Sequence, residues 1–175
     1  MADPLFFWFL ISELGEPFIW SGLLLTLLLL YVPISRFGKA PHFRDTYRSF
    51  LLVLALSLLL SFIAVQALKN VINVPRPCTP CSEASACNPY CDANSSFPSG
   101  HAATAFAAYA SIFLFARWRP WRLLIFGLPI LVAASRIALG VHTAADVLAG
   151  GALGLAICAL VYHFAKRRGF VTYIK

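Results

Sequence analysis

Residues 49–68, SFLLVLALSLLLSFIAVQAL, form a run of twenty residues without a charged side chain. A helix rises about 1.5 Å per residue, so roughly 20 apolar residues are needed to cross the hydrocarbon core of a membrane. The run therefore predicts a membrane-spanning helix. The whole chain has the same character, because 60% of its 175 residues are hydrophobic and only 12% are charged. This composition excludes an ordinary soluble domain.

Four further apolar segments are predicted to span the membrane: Pro17–Ile34, Pro98–Ala116, Trp121–Leu139 and Ala144–Ala165. The N-terminal segment Pro4–Leu14 is apolar but too short to span, so it predicts a helix lying at the membrane interface. The chain shows no internal repeat of the transporter kind and no linker. We therefore predict an all-α fold, a polytopic transmembrane helical bundle of about five spans plus the N-terminal helix, forming one domain over residues 1–175.

The basic residues predict the orientation in the membrane, because lysine and arginine are retained on the cytoplasmic side of short loops. Eleven of the 14 share one side: Arg36, Lys39, Arg44, Arg48, Arg117, Arg119, Arg122, Lys166, Arg167, Arg168 and Lys175. The other three, Lys69, Arg76 and Arg136, lie at span ends on the outer side. The pattern predicts a multi-pass protein of the inner (cytoplasmic) membrane. It also explains the net charge of +7 through topology and anionic headgroups, so no nucleic-acid partner is inferred.

Four cysteines share the outer loop between spans two and three: Cys78, Cys81, Cys87 and Cys91. Clustered cysteines on a translocated loop predict two disulfides in an oxidising compartment. Three pairings are possible, and the sequence does not choose among them. A zinc or iron–sulfur site is the alternative interpretation, since Cys-x-x-Cys spacing also suits a metal.

Span five contains small residues whose side chains suit close packing. Cys158 is predicted to be a packing residue rather than a reactive thiol. The stripe Gly150, Gly151 and Gly154 predicts close packing between helices of this chain, or a dimer contact.

Polar residues cluster at the outer ends of the spans, in three separate segments: Lys69 and Arg76, then Ser99, Gly100 and His101, then Arg136, His142 and Asp146. The lysine and the two arginines offer hydrogen-bond donors for a phosphate group, the arginines in a fork that matches pairs of oxygens. Ser99 and Gly100 immediately precede a helix, where free backbone N–H groups and the helix dipole favour phosphate. The three segments therefore predict a phosphate-binding site.

Two histidines in different segments suggest the chemistry at this site. His142 and Asp146 are four residues apart, so on a helix the carboxylate can hold the imidazole. An oriented, neutral His142 would present its other nitrogen to phosphorus as a nucleophile. His101 would protonate the departing oxygen as a general acid. Phosphoryl transfer depends mostly on alignment and charge neutralisation, which the three cations can supply without a metal or other cofactor.

The three segments resemble the signature motifs of the type 2 phosphatidic acid phosphatase (PAP2) superfamily: Lys-x6-Arg-Pro at Lys69, Arg76 and Pro77, Pro-Ser-Gly-His at Pro98–His101, and Ser-Arg-x5-His-x3-Asp at Ser135, Arg136, His142 and Asp146. The resemblance implies a helical membrane bundle and a metal-independent reaction through a phosphohistidine at His142, supported by Asp146. It implies phosphate contacts from Lys69, Arg76, Ser99, Gly100, His101 and Arg136. Many relatives have six helices that span the membrane, one more than the five spans predicted here. If this chain also has six, the N-terminal segment Pro4–Leu14 would belong to the additional span. The four-cysteine loop is not part of the family pattern.

The predicted function is a membrane lipid phosphatase that acts on a lipid phosphate substrate among the surrounding membrane lipids. Bacterial relatives of this size act on undecaprenyl pyrophosphate, phosphatidylglycerol phosphate or lipid A 1-phosphate. Undecaprenyl pyrophosphate is the first choice because it is a widespread outer-leaflet substrate. The non-enzyme alternative is a protein that binds or transports a phosphate lipid, but binding alone has no use for His142 paired with Asp146. Residues outside the motifs are candidates for headgroup selection: Glu13, Glu16, Tyr90 and Asn94.

Overall fold

The computed structural model describes residues 4–37, 41–81, 87–116 and 120–171. In these ranges the regular elements are all helices: α1 Pro4–Glu13, α2 Pro17–Phe37, α3 Pro41–Ile72, α4 Gly100–Phe115, a 3-10 helix Pro120–Phe126, α5 Gly127–Ala138 and α6 Ala144–Arg167. The predicted all-α fold class is confirmed.

Among the described residues, three helical stretches are long and apolar enough to cross a membrane: Leu5–Val32, which runs from α1 into α2, Phe43–Ile72 and Ala144–Arg167. Two shorter apolar helices lie between them in the bundle. The first, α4, has 16 residues and so rises about 24 Å, less than the hydrocarbon thickness of roughly 30 Å. Large apolar side chains such as Leu29, Leu123 and Leu148 are exposed on the outside of the bundle. Together with the apolar lengths, these surfaces indicate an integral membrane protein.

Two helix starts differ markedly from the predicted spans. The second span was predicted to begin at Ser49, but α3 begins at Pro41. Pro41 suits the first position of a helix, and the polar turns after it continue the helix beyond the apolar part that hydropathy detects. The fourth span is a 3-10 helix followed by α5, which begins at Gly127. Pro129 lies in the first turn of α5, where a proline removes no helical hydrogen bond.

Helix α4 lies at the centre of the bundle and packs against α3, α5 and α6. Its contact with α6 depends on glycine, because a Cβ at Gly150 or Gly154 would overlap the backbone oxygen of Ser99 or Ala103. The glycine stripe thus brings the two backbones together, as predicted for close packing. Cys158, on the same helix, is buried, which confirms it as a packing residue.

The antiparallel order of the helices brings the three polar segments to one end of the bundle. Hydrogen bonds across this end join the C-terminal end of α3 to the loop before α4, that loop to the start of α6, and α5 to α1. At the opposite end, the Ser49 hydroxyl donates to the carbonyl oxygen of Phe170, 3.0 Å away. Arg44, Arg48, Lys166, Arg167 and Arg168 belong to this second end. Four residues of the predicted cytoplasmic set lie outside the described residues: Lys39, Arg117, Arg119 and Lys175.

The four loop cysteines form two disulfides, Cys78–Cys91 and Cys81–Cys87. The structure thus selects one of the three pairings, and no loop thiol is left for a metal. Tyr90 stacks on Phe9 of α1 with ring centroids 5.1 Å apart. The Asn88 amide donates to the carbonyl oxygen of Leu139, 2.7 Å away, after the end of α5. The cross-linked loop is therefore fixed against two helices at the end where the polar segments meet.

Candidate active site

A cavity of about 950 Å³ opens at this end of the bundle and has two chemically distinct walls. One wall carries side chains of the predicted site: Lys69, Arg76, His101, Arg136 and His142. The other is apolar and comes from α2 and α3: Phe18, Leu24, Leu58, Leu59 and Phe62. A cavity with one cationic wall and one apolar wall suits an amphiphilic anion.

Lys69 lies in the last turn of α3 and is largely buried. Its ammonium group donates to the backbone oxygen of Ser95 and to the side-chain oxygen of Asn94, 3.3 Å away. Both acceptors belong to the segment that precedes α4. Lys69 therefore ties that segment to α3 and holds a positive charge on the cavity wall.

Arg76, in the loop after α3, makes the largest number of contacts at the site. Its Nε donates to the Asn94 carbonyl oxygen at 3.1 Å, and Nη1 donates to the Val141 carbonyl oxygen at 3.2 Å. Nη1 also lies 3.3 Å from Nε2 of His142. On the solvent side, Nη2 lies 3.1 Å from the Asp92 carboxylate. Arg76 thus stands directly beside the nitrogen predicted to attack phosphorus.

Of the three cations at the site, Arg136, in the last turn of α5, has the fewest hydrogen-bond partners among the described residues. Its exposed fraction is 4%, and its Nη1 donates to the Ser12 hydroxyl at 3.4 Å. Within the described part of the chain, Nε of Arg136 has no hydrogen-bond partner. A buried guanidinium with an unused donor is unfavourable unless an anion completes it. Arg136 therefore favours an anionic ligand in the cavity.

His142 belongs to the cavity wall and Asp146 lies behind it, and their side chains are 1% and 4% exposed. Nδ1 of His142 is 3.6 Å from Oδ2 of Asp146, which is longer than a hydrogen bond. Ser96 lies between them, with its hydroxyl 2.5 Å from Oδ2 of Asp146 and 3.3 Å from Nδ1 of His142. Asp146 also accepts from the backbone N–H of Thr143 at 2.8 Å, within a capping box that starts α6. The carboxylate is therefore fixed by the helix start and reaches the imidazole through a serine.

The environment of His142 keeps its imidazole neutral. Burial, followed by the positive charges of Arg76, Arg136 and Lys69, lowers the pKa of His142 well below its usual value. These causes outweigh the opposite effect of Asp146. A neutral imidazole retains the lone pair that a nucleophile needs.

His101, in the first turn of α4, faces the turn between α1 and α2. Its Nε2 lies 2.9 Å from the Glu16 carboxylate. Both residues line the cavity. Glu16 was predicted as a candidate for headgroup selection, yet its contact is with the predicted general acid. The N-terminal segment therefore contributes directly to the site.

Ser99 and Gly100 occupy different positions relative to the cavity. Gly100 lies on its wall. Ser99 is fully buried, and its hydroxyl caps α4 by accepting from the Ala102 N–H at 3.5 Å. The N–H of Ser99 donates to the Asp146 carbonyl oxygen at 3.0 Å. Ser99 therefore supports the site from behind, and its predicted contact with phosphate stays a prediction.

Two site residues were not found from the sequence, Ser96 and Asp92. Ser96 lies two residues before the predicted segment Pro98–His101, but nothing in that spacing indicates contact with a carboxylate fifty residues later. Asp92 follows Cys91 in a loop whose path depends on the disulfide pairing. Both contacts depend on how the chain folds between the motifs.

The fold and the site define a class: a helical membrane protein with a cation-lined cavity and a buried, neutral histidine suited to phosphoryl transfer. The sequence profile of the PAP2 superfamily matches residues 50–170. The chain belongs to the PAP2 superfamily and is a membrane phosphatase of that type.

Two solved structures are similar to the whole fold. The crystal structure of a transmembrane PAP2-type phosphatidylglycerolphosphate phosphatase from Bacillus subtilis shares 25% identity, covers 95% of this chain and 80% of its own, and superposes with a TM-score of 0.67. The crystal structure of Aquifex aeolicus LpxE shares 22% identity, covers 93% and 88% respectively, and has a TM-score of 0.60. The second likeness concerns the fold alone. No curated protein matches the chain significantly.

Proposed function

We propose that this protein removes the terminal phosphate of a lipid phosphate or pyrophosphate at the outer face of the inner membrane. The observation that carries the proposal is the two-sided cavity, where three cationic side chains and His142 face an apolar wall. Such a cavity suits a phosphate headgroup on a hydrocarbon chain that stays in the bilayer. A soluble phosphate ester would have no use for the apolar wall.

The first chemical step in this proposal is attack by Nε2 of neutral His142 on phosphorus. An N–P bond forms, the bond from phosphorus to the lipid oxygen breaks, and His101 gives a proton to that oxygen. Lys69, Arg76 and Arg136 neutralise the charge on the equatorial oxygens, which is the main requirement of phosphoryl transfer. In the second step, water attacks phosphorus, the N–P bond breaks and returns the lone pair to Nε2 of His142, His101 takes the proton from the water, and inorganic phosphate leaves.

Undecaprenyl pyrophosphate is the proposed substrate. The apolar wall of the cavity supports a long-chain lipid without selecting its headgroup. Phosphatidylglycerol phosphate is the second candidate, and the specific observation in its favour is the similarity to the Bacillus subtilis phosphatase, whose fold matches over 95% of this chain.

The experiment that tests the substrate is phosphate release by the purified protein in detergent, with undecaprenyl pyrophosphate, phosphatidylglycerol phosphate and lipid A 1-phosphate compared by kcat/KM. We expect the highest kcat/KM for undecaprenyl pyrophosphate and full activity in the presence of a chelator. Activity that disappears with chelator and returns with a divalent ion would contradict the metal-free mechanism. Binding of all three lipids without release of phosphate would leave a binding or transport protein instead.

The nucleophile has its own test. Brief exposure to substrate labelled in the transferred phosphate should give an acid-labile, base-stable label on the wild-type protein and none on His142→Ala. Retention of the label by His142→Ala would assign the nucleophile to another residue.

A further inference from the structure

Ser96 occupies the space between the two residues that define the proposed nucleophile, although it belongs to none of the three motifs. Its hydroxyl donates to Oδ2 of Asp146 at 2.5 Å and lies 3.3 Å from Nδ1 of His142. The direct distance from Nδ1 to Oδ2 is 3.6 Å. The carboxylate therefore has no direct hydrogen bond to the imidazole, and the serine hydroxyl is the group in contact with both.

A hydroxyl can donate one hydrogen bond and accept others. Since the proton of Ser96 points to Asp146, the oxygen of Ser96 is left as an acceptor for an N–H on Nδ1 of His142. A proton on Nδ1 leaves the lone pair on Nε2, the nitrogen that faces the cavity beside Arg76. The order of bonds is then Nδ1–H to Ser96, and Ser96 O–H to Asp146.

We propose that Ser96 is a positioning residue for the nucleophile: it fixes the tautomer and ring orientation of His142 and transmits the charge of Asp146 to the imidazole. The inference rests on the proposed function of His142. When Nε2 forms its bond to phosphorus and the lipid oxygen leaves, the ring becomes positively charged and keeps its proton on Nδ1. That proton stays hydrogen-bonded to Ser96, so Ser96, His142 and Asp146 lose no proton in this step.

The surroundings of Ser96 hold its hydroxyl in place. Its exposed fraction is 1%, and its backbone N–H donates to the Val74 carbonyl oxygen at 2.8 Å. Asp146 is fixed independently by the Thr143 N–H. Ser96 thus connects a rigid carboxylate to the histidine, and water cannot take the place of its hydroxyl without entering a buried position.

The test compares Ser96→Ala, Ser96→Thr and a control, Ser61→Ala, by the single-turnover rate of label transfer to His142 and by steady-state kcat and KM. Ser61 is also buried, but its hydroxyl has no hydrogen-bond partner among the described residues. Loss of a group that orients a reacting side chain commonly lowers activity about tenfold to a hundredfold. We expect a loss of that order in kcat for Ser96→Ala with KM nearly unchanged, recovery in Ser96→Thr, and no loss in Ser61→Ala.

A double-mutant cycle separates positioning from general destabilisation. If Ser96 acts through Asp146, Ser96→Ala should cost little more once Asp146→Asn is present. Additive losses, or equal losses in Ser96→Ala and Ser96→Thr with a lowered melting temperature, would overturn the inference. A wild-type rate in Ser96→Ala would overturn it as well while leaving the proposed function intact. Failure of the proposed function itself appears separately, as label that persists in His142→Ala.

Discussion

At the scale of single residues, the contacts of Arg76 show which groups would be displaced by the phosphate that we propose binds there. Its donors are already used: Nε by the Asn94 carbonyl oxygen, Nη1 by Val141 and His142, and Nη2 by Asp92 and by the Asn94 side chain at 2.5 Å. The backbone acceptors are fixed. The Asp92 carboxylate is the movable and charged one, since its side chain is 58% exposed. Asp92 therefore occupies the part of the fork that a phosphate oxygen would take.

Replacing Asp92 by asparagine should strengthen inhibition by inorganic phosphate and by vanadate. The change removes a negative charge that competes with the anion for Arg76 but keeps an acceptor. An exposed ion pair contributes up to about 1 kcal/mol, so the inhibition constant should fall about two- to fivefold. The matched control is Asp45→Asn, which removes the same charge from an exposed pair with Arg44 at the opposite end of the bundle. Weaker inhibition in Asp92→Asn alone would mean that Asp92 orients Arg76 for the anion.

Glu16 is expected to serve proton donation, because its carboxylate contacts Nε2 of His101 at 2.9 Å and stabilises the charged imidazolium. Glu16→Gln removes a charge-assisted hydrogen bond of about 1.5–3 kcal/mol, so lipid phosphate hydrolysis should slow about 10- to 100-fold. A substrate with an acidic leaving group, such as p-nitrophenyl phosphate, needs no proton in the first step, so its rate of phosphohistidine formation should be nearly unaffected. Glu13→Gln is the control, as Glu13 also lines the cavity. Equal losses on both substrates would contradict proton donation as the reason.

At the scale of helices, the sequence predicts that a helix exists better than it predicts where the helix begins and ends. The run at 49–68 is apolar because lipid surrounds it, and hydropathy reports that contact. It does not report the turns of α3 between Pro41 and Ser49, which are polar yet helical. The site divides in the same way. Site residues whose chemistry requires one residue type, such as Arg76 and His142, can be predicted from the sequence. Ser96 is visible only after the chain has folded, because its partners are set by distance in space.

The contact between α4 and α6 gives a test at this scale. Gly154→Ala should destabilise the protein, because the added Cβ would overlap the backbone oxygen of Ala103. Overpacking typically costs about 1–3 kcal/mol, which corresponds to roughly 2–12 °C in melting temperature for a chain of this length. Gly22→Ala is the matched control, since a Cβ there meets nothing within 4 Å, and alanine favours a helix.

Two other results for these glycine variants would change the interpretation. A similar melting temperature for Gly154→Ala and Gly22→Ala would contradict the close contact between the helices. A change in oligomer size by sedimentation, without loss of stability, would assign Gly154 to a dimer contact.

At the scale of the whole molecule, the two ends of the bundle differ in chemistry. One end holds the cavity, the cross-linked loop and cations that are buried or paired with acids. The other holds exposed basic residues such as Arg168. Disulfides persist in oxidising compartments and basic loops stay in the cytoplasm, so the two features independently favour the same orientation. They support the proposal that the reaction takes place on the outer face.

Thiol labelling in intact cells and in broken cells tests that orientation. A membrane-impermeant maleimide should label the loop cysteines of intact cells only after a charged phosphine has reduced Cys78–Cys91 and Cys81–Cys87, because the oxidised sulfurs do not react. A cysteine placed at exposed Arg168 should be labelled only when the cells are broken. Cys158 is the internal control and should stay unlabelled in the folded protein, since it is buried. Labelling of Arg168→Cys in intact cells would mean that the bundle has the opposite orientation, with the cavity on the cytoplasmic side. Free loop thiols before reduction would instead contradict the two disulfides that hold Asp92 beside Arg76. Asp92 would then no longer be expected to compete with phosphate.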